Sequence, residues 1–83
     1  MGKLVIFSDQ ARADLRAIDQ PVALQILKTL ARHLESGEGD VKRLEAVQPP
    51  LLRLRSQDYR VLFRDHGTNI EVTRVRHRRE AYR

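Results

Sequence analysis

The sequence predicts a small α+β fold, β-α-α-β-β-β, in which a mainly antiparallel sheet carries a two-helix hairpin on one face. Three observations predict it. A run of strand length rich in β-formers, KLVIF, opens the chain. Two stretches with apolar residues at helical spacing follow it. Beyond Pro49-Pro50 the period changes from helical to alternating. At 83 residues the chain has room for one small core, so residues 1–83 are expected to form a single domain.

Lys3–Phe7 reads as the first strand. Ser8 can cap a helix, and Asp9 in the first turn favours the helix dipole. Ala11, Leu15 and Ile18 then recur on one face, giving a short amphipathic helix over Ser8–Ile18. Asp19-Gln20-Pro21 restarts the chain, because proline suits a first helical turn and not an interior. From Pro21 to about Glu35, the residues Val22, Ile26, Leu27, Leu30 and Leu34 line one face of a second helix, which Ser36-Gly37-Glu38-Gly39-Asp40 ends. VKRLEAVQPP reads as a connection. Leu51–Arg55 sets Leu52 and Leu54 against Arg53 and Arg55, and after a Ser56-Gln57-Asp58 turn, Tyr59–Arg64 sets Tyr59, Val61 and Phe63 against Arg60, Leu62 and Arg64. The turn Asp65–Asn69 leads to a last strand, Ile70–His77. Val72 and Val75 can share a face of that strand only across a bulge.

The charge is placed unevenly. Residues 1–52 hold seven Lys/Arg and seven Asp/Glu, whereas residues 53–83 hold nine arginines, no lysine and four acids, so 9 − 4 = +5 accounts for the whole net charge of +5. Arginine presents a planar fork of donors that matches phosphate and stays charged. Such an excess is either a solvated basic face or a nucleic-acid footprint, and charge alone does not separate the two. A sheet face carrying Arg53, Arg55, Arg60 and Arg64 favours the footprint. With no cysteine, neither a disulfide frame nor a thiolate zinc site can form, and His33, His66 and His77 show no ligand spacing. The opening MGKLVIFSDQ is too short in its apolar run for a signal or membrane segment, so a cytoplasmic protein is expected.

RNA can be cut by attack of its own 2′-hydroxyl on the adjacent phosphate. That reaction needs a base near the hydroxyl, a cation on the non-bridging oxygens and an acid at the leaving 5′-oxygen. Arginine does not release its proton in a protein and cannot be the base. In the ending HRREAYR, His77 is the titratable candidate, Tyr82 can serve as acid or stack on a base, and Arg60 and Arg78 can hold the phosphate. Each has a structural alternative: His77 as a surface histidine, Tyr82 as a packing residue, Arg60 as partner to Asp58 or Asp65, and Glu80 as a local charge partner.

Taken together, "VIFSDQARADLRAI", "VKRLEAVQPPLLRLRSQDYRVLFR" and "VTRVRHRREAYR" resemble the RelE branch of the RelE/ParE toxin superfamily over nearly the whole chain. The resemblance implies a ribosome-dependent endoribonuclease that cuts messenger RNA in the decoding site without metal or cofactor. Its partners would be a cognate antitoxin, the ribosome and the message, with no membrane. It places Arg60 on the family's phosphate-stabilising arginine, Arg78 on the arginine near the end of the last strand, Tyr82 on the C-terminal tyrosine and Arg53 on a basic position used for RNA contact or proton transfer. His77 falls where members carry histidine or lysine. Lys42, Arg43, Arg55, Arg76 and Arg79 would add an electrostatic grip on RNA. Two departures stand out: Leu51 replaces a lysine that helps activate the nucleophile, which shifts the general base to His77, and the C-terminal helix of some members is missing. Two other readings share the fold. One is a ParE-like poison of DNA gyrase; the other is a catalytically weak module that only binds antitoxin.

Overall fold

A computed structural model describes residues 3–45 and 48–81. The elements run β1 (Leu4–Phe7), α1 (Asp9–Arg16), α2 (Gln20–Ser36), β2 (Val41–Glu45), β3 (Leu51–Ser56), β4 (Tyr59–Asp65), β5 (Asn69–His77) and α3 (Arg78–Ala81). They form a five-stranded sheet in the order β1-β5-β4-β3-β2, with β1 parallel to β5 and every other pair antiparallel. Among the described residues, no helix is long and apolar enough to cross a membrane.

The local chemistry explains the helix ends. Ser8 caps α1, its Oγ accepting the Ala11 N–H at 3.0 Å, and Gly37 closes α2 in the left-handed conformation at φ 78° with its N–H on the His33 carbonyl. Of the α2 face read from the periodicity, Ile26 and Leu30 are buried and Val22 and Leu34 pack at the margin. Leu27 is only half-buried, because the helix meets the sheet along a narrower stripe than five residues can share.

VKRLEAVQPP is more than a connection. Its first half is β2, which pairs antiparallel with β3 through Val41↔Leu54, Lys42↔Arg53 and Arg43↔Leu52. Lys42, Arg43 and Glu45 give it no apolar period, so its strand character comes from its place at the sheet edge, where charge is tolerated.

The expected bulge is present. Leu62 faces Arg74 and Phe63 faces Val72, which leaves Thr73 as an extra residue on β5, its Oγ1 bonded to the Leu62 carbonyl at 3.1 Å. This single residue resets the alternation of β5. Val72 and Val75 both enter the core, while Glu71, Arg74 and Arg76 share the opposite face. Leu54, Val61, Phe63, Ile70, Val72 and Val75 therefore meet Ala11, Ile26 and Leu30 beneath the helices.

β1 pairs with β5 only as far as Phe7↔Val72, and α1 takes over from there. Ser8 N–H donates to the Val72 carbonyl at 3.0 Å and Ser8 Oγ to the Thr73 carbonyl at 2.9 Å. The Asp14 carboxylate then accepts the Val75 N–H at 2.9 Å. A helix side chain thus completes the edge where the strand has ended.

Candidate functional site

The alternation of β3, β4 and β5 sends every second residue to the face that the helices leave open. Strand register then fixes which of them meet. Arg55 lies directly opposite Arg60, and Arg60 directly opposite Arg76, so three arginines form one row across three adjacent strands. The next row is Arg53, Leu62 and Arg74, with Lys42 beside Arg53. Directly opposed like charges destabilise a sheet by roughly 0.2–1 kcal/mol per pair. A row of three is a cost that folding alone does not explain.

Acids relieve the neighbouring arginines of this face more than the row. Arg53 Nη2 meets Asp40 Oδ1 at 3.3 Å, Arg74 Nε meets Asp14 Oδ2 at 2.9 Å, and Arg64 Nη2 meets Glu45 Oε1 at 3.0 Å. Arg64 also donates through Nη1 to the Pro49 carbonyl, so it fastens the β2–β3 connection. Within the row itself, Arg76 Nη2 reaches Glu80 Oε2 only at 3.5 Å. Among the described residues, neither Arg55 nor Arg60 has a carboxylate at ion-pair distance, so Asp58 and Asp65 are not partners of Arg60.

Arg60 is the unusual member. It is 6% exposed, and its Nη1 donates to the carbonyls of Gln57 and Tyr59 at 3.0 and 3.1 Å, folding the guanidinium under the β3–β4 turn. Its Nε is buried without an acceptor, and so is the Nε of Arg76. An unsatisfied buried donor costs about 1–3 kcal/mol, more when charged, and an anion arriving on this face would relieve it.

His77, Arg78 and Arg79 gather at the end of β5 and the start of α3. The His77 ring stands edge-on to Tyr59 at 5.3 Å, on the helix side of the sheet. Its Nδ1 accepts the Arg79 N–H at 3.2 Å, so the neutral ring carries its proton on Nε2. Arg78 N–H donates to the Asp58 carbonyl at 2.7 Å, and its Nε lies 3.7 Å from Asp58 Oδ1, which ties α3 to the β3–β4 turn. Arg43 does not join the open face, because it pairs with Leu52 and so has the opposite alternation. Tyr82 lies outside the described residues.

Two residues that matter to the geometry carry no local signal in the sequence. Burial pushes the Asp14 carboxyl up, but hydrogen bonds from Arg74, the Val75 N–H and Gln10 outweigh it and hold the group below the ordinary carboxylate range. The Asp14 hydrogen bond raises the Arg74 guanidinium in turn. These two residues are 60 positions apart, and only the packing of α1 against β5 joins them.

Known proteins share this architecture. The family model for the ParE toxin of the type II toxin–antitoxin system parDE matches residues 5–82. No curated protein matches the chain. The archaeal RelE–RelB complex from Pyrococcus horikoshii OT3 has a TM-score of 0.77 at 22% identity, over 98% of this chain and 100% of that one. The YoeB dimer from Staphylococcus aureus gives 0.73 at 16%, over 93% and 98%. The chromosomal ParDE system from P. aeruginosa gives 0.64 at 19%, over 90% and 95%. At these identities the solved structures show a common fold.

Proposed function

This chain belongs to the RelE/ParE toxin superfamily of type II toxin–antitoxin systems, and from that premise we propose that it is a ribosome-dependent endoribonuclease that cuts messenger RNA in the decoding site. Its partner in the resting state is a cognate antitoxin, as in the RelE–RelB complex it resembles. The row Arg55–Arg60–Arg76 carries the reading. It is a line of three guanidinium groups on an open sheet face with a single carboxylate, Glu80, at ion-pair distance among the described residues, and two buried Nε–H donors lacking acceptors. A phosphodiester supplies the charge and the oxygens that this row lacks.

In this reaction the 2′-hydroxyl attacks the adjacent phosphorus and the 5′-oxygen leaves. Arg60 and Arg78 hold the non-bridging oxygens and stabilise the charge that builds on them. His77 stands on the helix side of the sheet, across from the arginine row. It therefore takes the 2′-hydroxyl proton only from a strand that passes around the end of β5 and not across the open face. To do so it gives up the Arg79 N–H on Nδ1, an exposed hydrogen bond worth about 0.5–1.5 kcal/mol. Tyr82, by resemblance, serves the leaving oxygen or stacks on a base. Lys42, Arg53, Arg55 and Arg79 lengthen the electrostatic grip, which makes binding strongly salt-dependent; Arg43, on the other side of β2, contributes at longer range.

The test is incubation of the purified chain with translating ribosomes and a defined message, with cut ends mapped by primer extension. Cuts that require ribosomes and vanish in Arg60→Ala support the reading; wild-type cutting by Arg60→Ala sinks it. The matching family model is that of the ParE toxin, and resemblance to the ParE branch implies one other reading, a poison of DNA gyrase. Inhibition of supercoiling by gyrase, with messages left intact, would establish that alternative.

A further inference from the structure

Past Thr73, β5 has no neighbouring strand on its outer side, because β1 has ended and α1 occupies only the Val75 N–H there. The space left between the end of α1, this half of β5 and α3 is a cleft of about 220 Å³. That is about seven liquid-water volumes, the scale of one planar heterocycle with the edge of a sugar. Ala17 and Ile18 form one wall, and Tyr59 with His77, their rings edge-to-face at 83°, forms another. Arg76 and Glu80 stand at the rim.

The rim is poorly satisfied. Arg76 has a buried Nε without an acceptor, and its Nη2 contact to Glu80 is 3.5 Å long. Asp14, the other acid lining the cleft, is already engaged by Arg74 and the Val75 N–H. A slot with one apolar wall and one aromatic corner, otherwise lined by Asp14, Arg74, Val75, Arg76 and Glu80, therefore places a guanidinium held loosely by a mostly exposed carboxylate beside surfaces that a base can cover. A phosphate fits that guanidinium better than Glu80 does, since it offers more charge and oxygens for two parallel donors.

We propose that this cleft is a nucleotide seat. The base lies between the Ala17–Ile18 wall and the Tyr59–His77 corner, and the phosphate replaces the Glu80 carboxylate on Arg76. The nuclease reading supplies the source of the nucleotide, a residue of the message next to the one being cut, but the seat itself exists on the free protein. Apolar and aromatic walls accept the face of any base, so the seat favours nucleotides over bare anions and discriminates little among bases.

The experiment is titration of the full chain with adenosine 5′-monophosphate and, separately, with inorganic phosphate, following backbone amide resonances. The mononucleotide is expected to shift Ala17, Ile18, His77 and Glu80, and phosphate to shift Arg76 and Glu80 alone. Glu80→Gln should tighten both several-fold by removing the internal competitor. Ala17→Leu fills the slot at an exposed position with ordinary right-handed geometry (φ −82°, ψ −9°), and should abolish the advantage of the mononucleotide over phosphate. Equal affinities for the two ligands in the unmodified chain, or silent Ala17 and Ile18 resonances, overturn the proposal. Ribosome assays on the same preparation separate it from the nuclease reading. Cutting with a silent slot removes the seat and keeps the nuclease, whereas an occupied slot without cutting does the reverse.

Discussion

The two faces of this sheet are built from alternate residues of the same three strands, yet they obey opposite rules. Beneath the helices, Leu54, Val61, Phe63, Ile70, Val72 and Val75 are almost wholly withdrawn from water. On the open face, Arg55, Arg60 and Arg76 stand in line with one carboxylate among them, that of Glu80 at 3.5 Å from Arg76. The covered face supplies the apolar burial that holds a small domain together. The open face runs against stability, a local conflict of the kind the proposed RNA contact would explain. Because alternation separates the two, substitutions on one face should leave the other's property nearly untouched.

The largest test of that separation is Phe63→Ala, which empties the centre of the core. It should cost about 3–5 kcal/mol, a large part of the stability of a domain this size, as read from the midpoint of urea unfolding. A change below about 1 kcal/mol would mean that the covered face is not where the stability lies. Next is Arg60→Ala, expected to slow message cleavage by about 10²–10³-fold. Its unfolding free energy should move by less than about 1 kcal/mol, since the bonds to Gln57 and Tyr59 that it gives up are offset by relief of the charges on Arg55 and Arg76. Loss of folding in step with loss of cleavage would break the comparison.

Asp14→Asn probes the joint between α1 and β5, and should lower stability at neutral pH by about 1–2 kcal/mol. The folded Asp14 carboxyl lies below its ordinary value of 3.8, so its contribution is present above that value and is lost as pH falls through the lower folded one. Asp65 titrates in the same direction, lowered first by the Gly67 N–H and then by Lys3. The acid-unfolding curve of Asp14→Asn should therefore be shallower below pH 3.8 without becoming flat; an unchanged curve would show that the carboxylate is not what holds the edge. Smallest is Arg55→Glu. Placing an acid opposite Arg60 should stabilise the fold by roughly 0.2–1 kcal/mol. If the row binds single-stranded RNA as proposed, losing one arginine should also flatten the salt dependence of that binding by about 0.7 in log–log slope. A variant that is both less stable and unchanged in its salt slope would contradict this picture of the row.

Much of this was legible in one dimension because it rests on local rules. Ser8 and Gly37 mark helix ends by what their own atoms can do. The leucine–arginine alternation of residues 51–55 states which side each residue takes, and Val72 against Val75 implies the bulge that Thr73 provides. β2 was hidden because Lys42, Arg43 and Glu45 carry no period, and a strand without one exists only through its partner. The pairing of Asp14 with Arg74 was hidden for a similar reason, since nothing in either neighbourhood points across 60 residues.

The sequence by itself determined the order of elements, the two faces and the placing of every excess charge in residues 53–83, because periodicity, capping and composition are properties of neighbours along the chain. Tertiary structure decided which arginines stand in one row, that Arg60 is folded under the β3–β4 turn, and that His77 offers Nδ1 to the backbone of α3. It also decided that α1 completes an edge that β1 leaves short, and so created the cleft beside His77. Those features depend on strand register and on how far one element reaches along another, and both are set by packing between residues that are remote in the chain.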